Sequence, residues 1–382
     1  MINRVALNLI SKKIEKNKVL ILYGPRRVGK TYLLNQFIKK QKKEKVKFVN
    51  GESGLVQDAL SDQIPEKLES YLEGASLLVI DEAQNISNIG AILKLFVDCV
   101  PNIKIIVSGS ASFDLVQKIS EPLVGRKKTI FLYPVAAEEL IRHKTVDHYQ
   151  ANLENYLLFG TYPEILNLEM KNEKIEYLNE LLESYLFRDI LKIENIKNPK
   201  KMRDLLSLLA FQIGGEVSLS ELGNTLDLHK DTVYRYLDLL EKSFVLINIR
   251  GFSRNLRKEI SKTSRYYFYD LGVRNALINN FNSLNLRNDL GQLWENYLVI
   301  ERIKKQSYLP IFSNNYFWRT YDKKEIDWVE EREGKLFGFE FKWSTKKNPK
   351  APRDFLETYK KERSTFEVIN PDNFLDFLRF KF

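Results

Sequence analysis

Gly24-Pro25-Arg26-Arg27-Val28-Gly29-Lys30-Thr31 follows the apolar run Val19-Leu20-Ile21-Leu22-Tyr23 and leads into Tyr32-Leu33-Leu34-Asn35-Gln36-Phe37-Ile38. A buried strand, a glycine-bounded loop and a helix start give the G-x-x-x-x-G-K-[ST] pattern its required setting. N–H groups of such a loop, with the positive end of the helix dipole, face one anion. Lys30 would reach the β- and γ-phosphates, and the Thr31 hydroxyl would bind Mg²⁺. The stretch from Gly24 to Tyr32 is therefore expected to line a nucleoside triphosphate, ATP with Mg²⁺.

A second stretch, Leu77-Leu78-Val79-Ile80-Asp81-Glu82, completes this expectation. Four apolar residues bury the strand, and Asp81 emerges at its C-terminal end, where open α/β sheets bind ligands. Asp81 would hold Mg²⁺ through water and Glu82 would polarise the attacking water. A third apolar run, 103–107, ends in Ser108-Gly109-Ser110, which brings a hydroxyl to the same edge. Arg126 and Arg188 are candidate arginine fingers for a neighbouring subunit's γ-phosphate, which implies a homo-oligomer.

Strands expected at 19–23, 46–49, 77–80, 103–108 and 129–132 alternate with helical stretches, the pattern of a parallel sheet. From 149 to 212 helix-forming residues dominate. A helix at 202–212, helices at 218–226 and 231–242, and strands at 244–249 and 265–269 follow the winged helix-turn-helix plan. Ser218 with Glu221 reads as a capping box. Val233, Leu237 and Leu240 share one helical face, leaving Lys230, Tyr234, Arg235 and Asp238 outward. Arg250, Arg254, Arg257, Lys258, Lys262 and Arg265 fall in the expected wing, where they would contact phosphates. The expected division is 1–147, 148–200, 201–284 and 285–382.

The last quarter holds Glu325-Ile326-Asp327-Trp328-Val329 and Phe337-Gly338-Phe339-Glu340-Phe341-Lys342-Trp343, with Glu333-Gly334 between them. A two-residue loop there sets Arg332 against Lys335 and hence Asp327 against Glu340, with Lys342 on the same face. Facing carboxylates repel unless a cation joins them. Mg²⁺ at Asp327 and Glu340, with Glu295 supplied from a helix at 290–304, is the expected solution. A buried ion-pair network is the alternative.

Lys and Arg number 60 against 50 Asp and Glu, a net charge of +10 that suits an acidic partner such as DNA. The single cysteine, Cys99, excludes an internal disulfide or a zinc cluster and reads as a small buried hydrophobe. No run reaches the roughly 18 apolar residues of a membrane span, so a cytoplasmic protein without membrane contact is expected.

Taken together, Gly-Pro-Arg-Arg-Val-Gly-Lys-Thr, Val-Ile-Asp-Glu-Ala-Gln, Ser-Gly-Ser-Ala-Ser, Tyr-Leu-Phe-Arg-Asp-Ile, Tyr-Phe-Tyr-Asp-Leu-Gly and Asp-Leu-Gly-Gln-Leu-Trp-Glu-Asn resemble a family. It is the prokaryotic AAA-type ATPases that carry the C-terminal domain of unknown function 4143. Arg27 stands where that family often has Gln. The Asp…Glu-x-Lys hairpin resembles the PD-(D/E)xK nucleases, in which the carboxylates bind Mg²⁺ and the lysine helps activate water. The resemblance implies an α/β protein: a P-loop AAA-type parallel-sheet ATPase domain, a helical lid, a winged helix-turn-helix and a restriction-endonuclease-like C-terminal domain.

Overall fold

The computed structural model describes residues 2–61, 64–109, 122–184, 198–253, 264–320, 323–346 and 349–380. They form two compact units, Met1–Val135 with Lys242–Phe244, and Ala136–Glu241 with Val245–Phe382.

Unit one is built on β1 (Lys18–Tyr23), β2 (Val46–Asn50), β3 (Leu77–Asp81), β4 (Lys104–Gly109) and β5 (Lys127–Phe131). All neighbours are parallel, in the order β2-β3-β4-β1-β5. Every residue of β3 is buried, as a strand covered on both faces requires. Helices Lys30–Lys40 and Ile89–Cys99 are among those that flank the sheet. Ile80, Val107, Leu93 and Phe96, all fully buried, belong to one core cluster. Cys99 departs from its expected burial. It ends its helix and is exposed, because the buried stripe there runs through Leu93, Phe96 and Val97.

Strand order decides where a ligand fits. β4 lies between β1 and β3, so the loops leaving β1 and β3 part on either side of it. That opens a crevice at the carboxyl edge.

Unit two starts with helices, including Pro199–Phe211, Leu219–Leu226 and Lys230–Lys242. A seven-stranded sheet follows: β6 (Glu216–Val217), β7 (Leu246–Gly251), β8 (Ser264–Phe268), β9 (Asn314–Arg319), β10 (Glu325–Arg332), β11 (Lys335–Phe341) and β12 (Thr365–Ile369). Its order is β12-β11-β10-β9-β7-β8-β6. β9, β10 and β11 are antiparallel, β12 is parallel to β11, and β7 is parallel to β9. Strands from either side of residue 284 thus share one sheet. Glu333 and Gly334 both take positive φ, 53° and 69°. This two-residue loop fixes the pairing of Arg332 with Lys335 and Trp328 with Phe339.

The long helix Leu290–Tyr308 buries Trp294, Leu298 and Ile300 alongside the charged Glu301, Arg302, Lys304 and Lys305. No helix among the described residues is long and apolar enough to cross a membrane.

Candidate functional site

Gly24 leaves β1 with φ 152°, and a Cβ there would meet the Leu132 carbonyl oxygen at 2.2 Å. Only glycine lets the loop start this close to the strand behind it. Gly29, with φ 91°, caps the Lys30–Lys40 helix. Between them Val28 and Pro25 are buried, while Arg26 and Arg27 are exposed. Arg27 itself takes a positive φ of 60°. Tyr32 is partly exposed, and its hydroxyl accepts from Gln36 Nε2 at 2.6 Å.

Lys30 is buried, and its Nζ donates to the carbonyls of Gly24 (3.0 Å) and Pro25 (2.8 Å). Burial lowers its pKa to about 8, against the pull of the Glu82 and Asp81 carboxylates. The Thr31 hydroxyl donates to Asp81 Oδ2 at 2.6 Å. The fully buried Ser108 hydroxyl donates to Asp81 Oδ1. Residues from two strands and the start of one helix therefore meet at Asp81. Glu82 follows it in the left-handed region, φ 50°, its N–H directed at Asp81 Oδ1 and Ser108 Oγ (3.2 and 3.4 Å). A non-glycine residue held there stores strain, which is common at functional sites.

Sequence reasoning missed Arg4. Its buried guanidinium donates to the carbonyls of Val28 (3.0 Å) and Tyr133 (2.6 Å), bracing the loop from behind. No local signal marks a contact across 129 positions. Arg126 is ion-paired with Asp98. Arg188 lies outside the described residues, as does Ser110.

In unit two the hairpin brings together the second group of residues. Asp327 Oδ2 accepts from the backbone N–H of Phe341 at 2.9 Å, next to Glu340. Lys342 Nζ donates to Glu340 Oε1 at 2.5 Å. Glu340 is 7 % exposed, and its Oε2 is buried without a hydrogen-bond partner. Glu295 Oε1 accepts from the Tyr267 hydroxyl at 2.6 Å. A register shift in β10 against β9, between Ile326 and Val329, flanks Asp327; such bulges re-aim side chains.

Arg265 corrects an expectation. Along β8, Arg265 and Tyr267 share a face, and that face is buried. The guanidinium therefore turns away from any phosphate role in a wing and into the carboxylates. It lies 3.5 Å from Glu295 Oε1, 3.5 Å from Asp327 Oδ1 and 2.9 Å from Glu325 Oε2.

Burial, with Asp327 second, raises the pKa of Glu295 to about 8. Burial, then Asp327, raises that of Glu340 to about 7 against the Lys342 ammonium. Among the described residues no three His, Cys, Asp or Glu side chains are gathered to hold a metal ion. As placed, these acids fit a guanidinium rather than a divalent ion.

On the Lys230–Lys242 helix, Val233, Leu237 and Leu240 are fully buried, while Lys230, Tyr234 and Arg235 are exposed. Ser218 caps the preceding helix by accepting from Glu221 N at 3.3 Å. Arg250 is exposed on β7. Arg254, Arg257, Lys258 and Lys262 lie outside the described residues.

The parallel sheet, its loop and the Thr31–Asp81–Ser108 convergence make a P-loop fold. Residues 16–141 match a family model described as an AAA domain, and 290–373 match the domain of unknown function 4143. Residues 150–284 match the domain of unknown function 8612. The chain thus carries one region similar to an AAA domain and another similar to the 4143 domain.

An uncharacterized protein of Methanocaldococcus jannaschii is 26% identical, over 84% of this chain and 74% of that protein. One of Mycobacterium tuberculosis is 27% identical over 89% and 73%. Likeness to solved structures is weak. The Aeropyrum pernix ORC1 protein in complex with DNA has a TM-score of 0.31 and 14% identity, covering 72% of this chain and 90% of that one. AMPPCP-bound DnaA from Aquifex aeolicus has 0.29 and 13%, covering 62% and 86%.

Proposed function

We propose that this chain hydrolyses ATP and uses the nucleotide state to switch its association with DNA. The convergence of Lys30, Thr31, Asp81 and Ser108 at the carboxyl edge of adjacent parallel strands carries the reading. ATP with Mg²⁺ supplies the phosphoanhydride to be cleaved and the dication that offsets its charge. A hydroxyl and a carboxylate, Thr31 and Asp81, are the oxygen donors such an ion takes. Lys30 would exchange the carbonyls of Gly24 and Pro25 for phosphate oxygens. Glu82 would orient the attacking water, and Ser108 would fix the Asp81 carboxylate. Arg126, once released from Asp98, and Arg188 are the proposed arginine fingers, offered to a neighbouring copy in a homo-oligomer.

Lys230, Tyr234 and Arg235, read as the outer face of a winged helix, would meet DNA together with Arg254, Arg257, Lys258 and Lys262. A switch requires that the two nucleotide states differ in affinity for the partner. Polarisation of labelled duplex DNA at about 50 mM salt is expected to show at least a fivefold affinity difference between ATP-analogue and ADP states. Lys230→Glu with Arg235→Glu should weaken binding in both states. Absence of binding in every state rejects the DNA reading.

A second reading, metal-dependent strand cleavage in unit two, is favoured by the partnerless Glu340 Oε2 beside Lys342. The same mixtures with Mn²⁺, run on a denaturing gel, decide it. Products that vanish in Glu340→Ala support a nuclease, and intact DNA leaves the switch.

A further inference from the structure

Four carboxylates converge on one face of the seven-stranded sheet: Glu295 from the long helix, Glu325 and Asp327 from β10, and Glu340 from β11. Among the described residues two cationic side chains pair with them: Lys342 with Glu340, and Arg265 with the other three. The guanidinium is 5 % exposed, and its carbon lies 4.6 Å from the centre of the Phe317 ring. Its weak hydration and planar fork suit a buried site with several oxygen partners.

We infer that Arg265 is the built-in cation of this acidic centre, and that an oxygen-seeking divalent ion, Mg²⁺ or Mn²⁺, enters only in exchange for its guanidinium. Two observations support the exchange. First, the carboxylates are spaced around N–H donors at 2.9–3.5 Å, whereas such ions draw oxygens to about 2.1 Å. Ion and guanidinium would also repel strongly at that range in a buried setting. Second, Glu340 Oε2, enclosed and aimed at no donor, is a ligand atom left open. A stable ion-pair network normally gives each polar atom it buries at least one hydrogen-bond partner.

The position of β8 then governs the centre. Arg265 pairs with Ile249 of β7 and Glu216 of β6, so the residue that must withdraw is anchored in the strand pair that follows the Lys230–Lys242 helix. Metal occupancy becomes a property of how that hairpin sits. Metal specificity follows the same logic: hard oxygen donors select Mg²⁺ or Mn²⁺, and no thiol or imidazole is among the named ligands.

The test needs neither nucleotide nor DNA, so it stands apart from the ATPase reading. Titrate the full nucleotide-free chain with Mn²⁺ and follow the free ion by electron paramagnetic resonance. Any ion held near Thr31 and Asp81 is common to every arm. The parent and Glu340→Gln should superimpose. Arg265→Gln should gain one further ion, bound at least about tenfold tighter than anything the parent holds beyond that background. Arg265→Gln with Glu340→Gln should lose it. A parent site abolished by Glu340→Gln overturns the inference. So does an Arg265→Gln chain that keeps the parent's circular dichroism and melting profile yet gains no ion. Should Arg265→Gln fail to fold, the parent and Glu340→Gln curves still decide: coincidence supports a centre already filled by its own cation, and divergence refutes it.

Discussion

Lys30→Ala is expected to lower ATP turnover by at least about a hundredfold. The ammonium is a buried cation at the mouth of the helix, tied at present to the Gly24 and Pro25 carbonyls. Those bonds hold it within the loop that would receive the phosphates, so little reorganisation precedes contact with them. Its removal leaves the loop N–H groups and the helix dipole to meet the charge that grows during transfer without a full positive charge beside the γ-phosphate. The parent-like fold should survive, because alanine suits a helix start. Steady-state phosphate release with a melting curve checks both points. Parent-like turnover in Lys30→Ala would place the chemistry elsewhere.

The largest effect on stability is expected at Glu330. This carboxylate is fully buried and takes two bonds from Arg302, Nε to Oε1 at 2.5 Å and Nη2 to Oε2 at 2.9 Å. Trp328 Nε1 (3.0 Å) and Arg332 Nε (3.1 Å) complete its shell. Arg302 also donates to the Phe377 carbonyl at 3.0 Å and lies 4.6 Å from that residue's ring centre.

Glu330→Ala strands the guanidinium and should cost about 3–5 kcal/mol. Replacing both partners by Met should restore much of that loss. All four tryptophans, Trp294, Trp318, Trp328 and Trp343, belong to unit two, so indole fluorescence during urea unfolding reports this unit alone.

Acid should mimic the mutation. Burial alone would raise the Glu330 pKa, but the Arg302 bonds outweigh burial and hold it below the ordinary glutamate value. Its stabilisation is therefore present above that ordinary value and is lost as pH falls through the folded one. Unfolding of Glu330→Ala should depend less on acid than that of the parent. An unchanged acid slope would show that the pair contributes little.

Where a signal is local, the sequence reveals it. Strand, loop and helix at 19–38 sit within one short segment, so Gly24, Lys30 and Thr31 could be placed without any tertiary knowledge. Asp81 was legible for the same reason, at the end of an apolar run. The Glu333-Gly334 turn set the Arg332–Lys335 pairing through turn chemistry alone. Helix periodicity likewise separated Val233, Leu237 and Leu240 from Lys230, Tyr234 and Arg235.

Arg265 illustrates the opposite case. In the sequence it is one basic residue among several, and its partners Glu295, Glu325 and Asp327 lie 30 to 62 positions away. Which face of β8 is buried depends on long-range pairing: β8 joins β7, and β7 joins β9 through Arg250–Tyr316 and Gly251–Phe317. Neither the apolar pattern nor the charge pattern of 244–269 carries that information. Arg4 escaped notice on the same grounds, as its bond to Tyr133 spans most of unit one.

The most direct measurement pairs ATP affinity with ATP turnover in Glu82→Gln. This residue follows Asp81 at the end of β3 in a left-handed conformation, where its carboxylate is proposed to orient water and make no essential contact with the nucleotide. The expected result is a variant that binds ATP within about threefold of the parent yet hydrolyses it at least about a hundredfold more slowly. A parent chain that releases no phosphate above the Lys30→Ala background, or a Glu82→Gln chain that turns over ATP at the parent rate, would contradict the account.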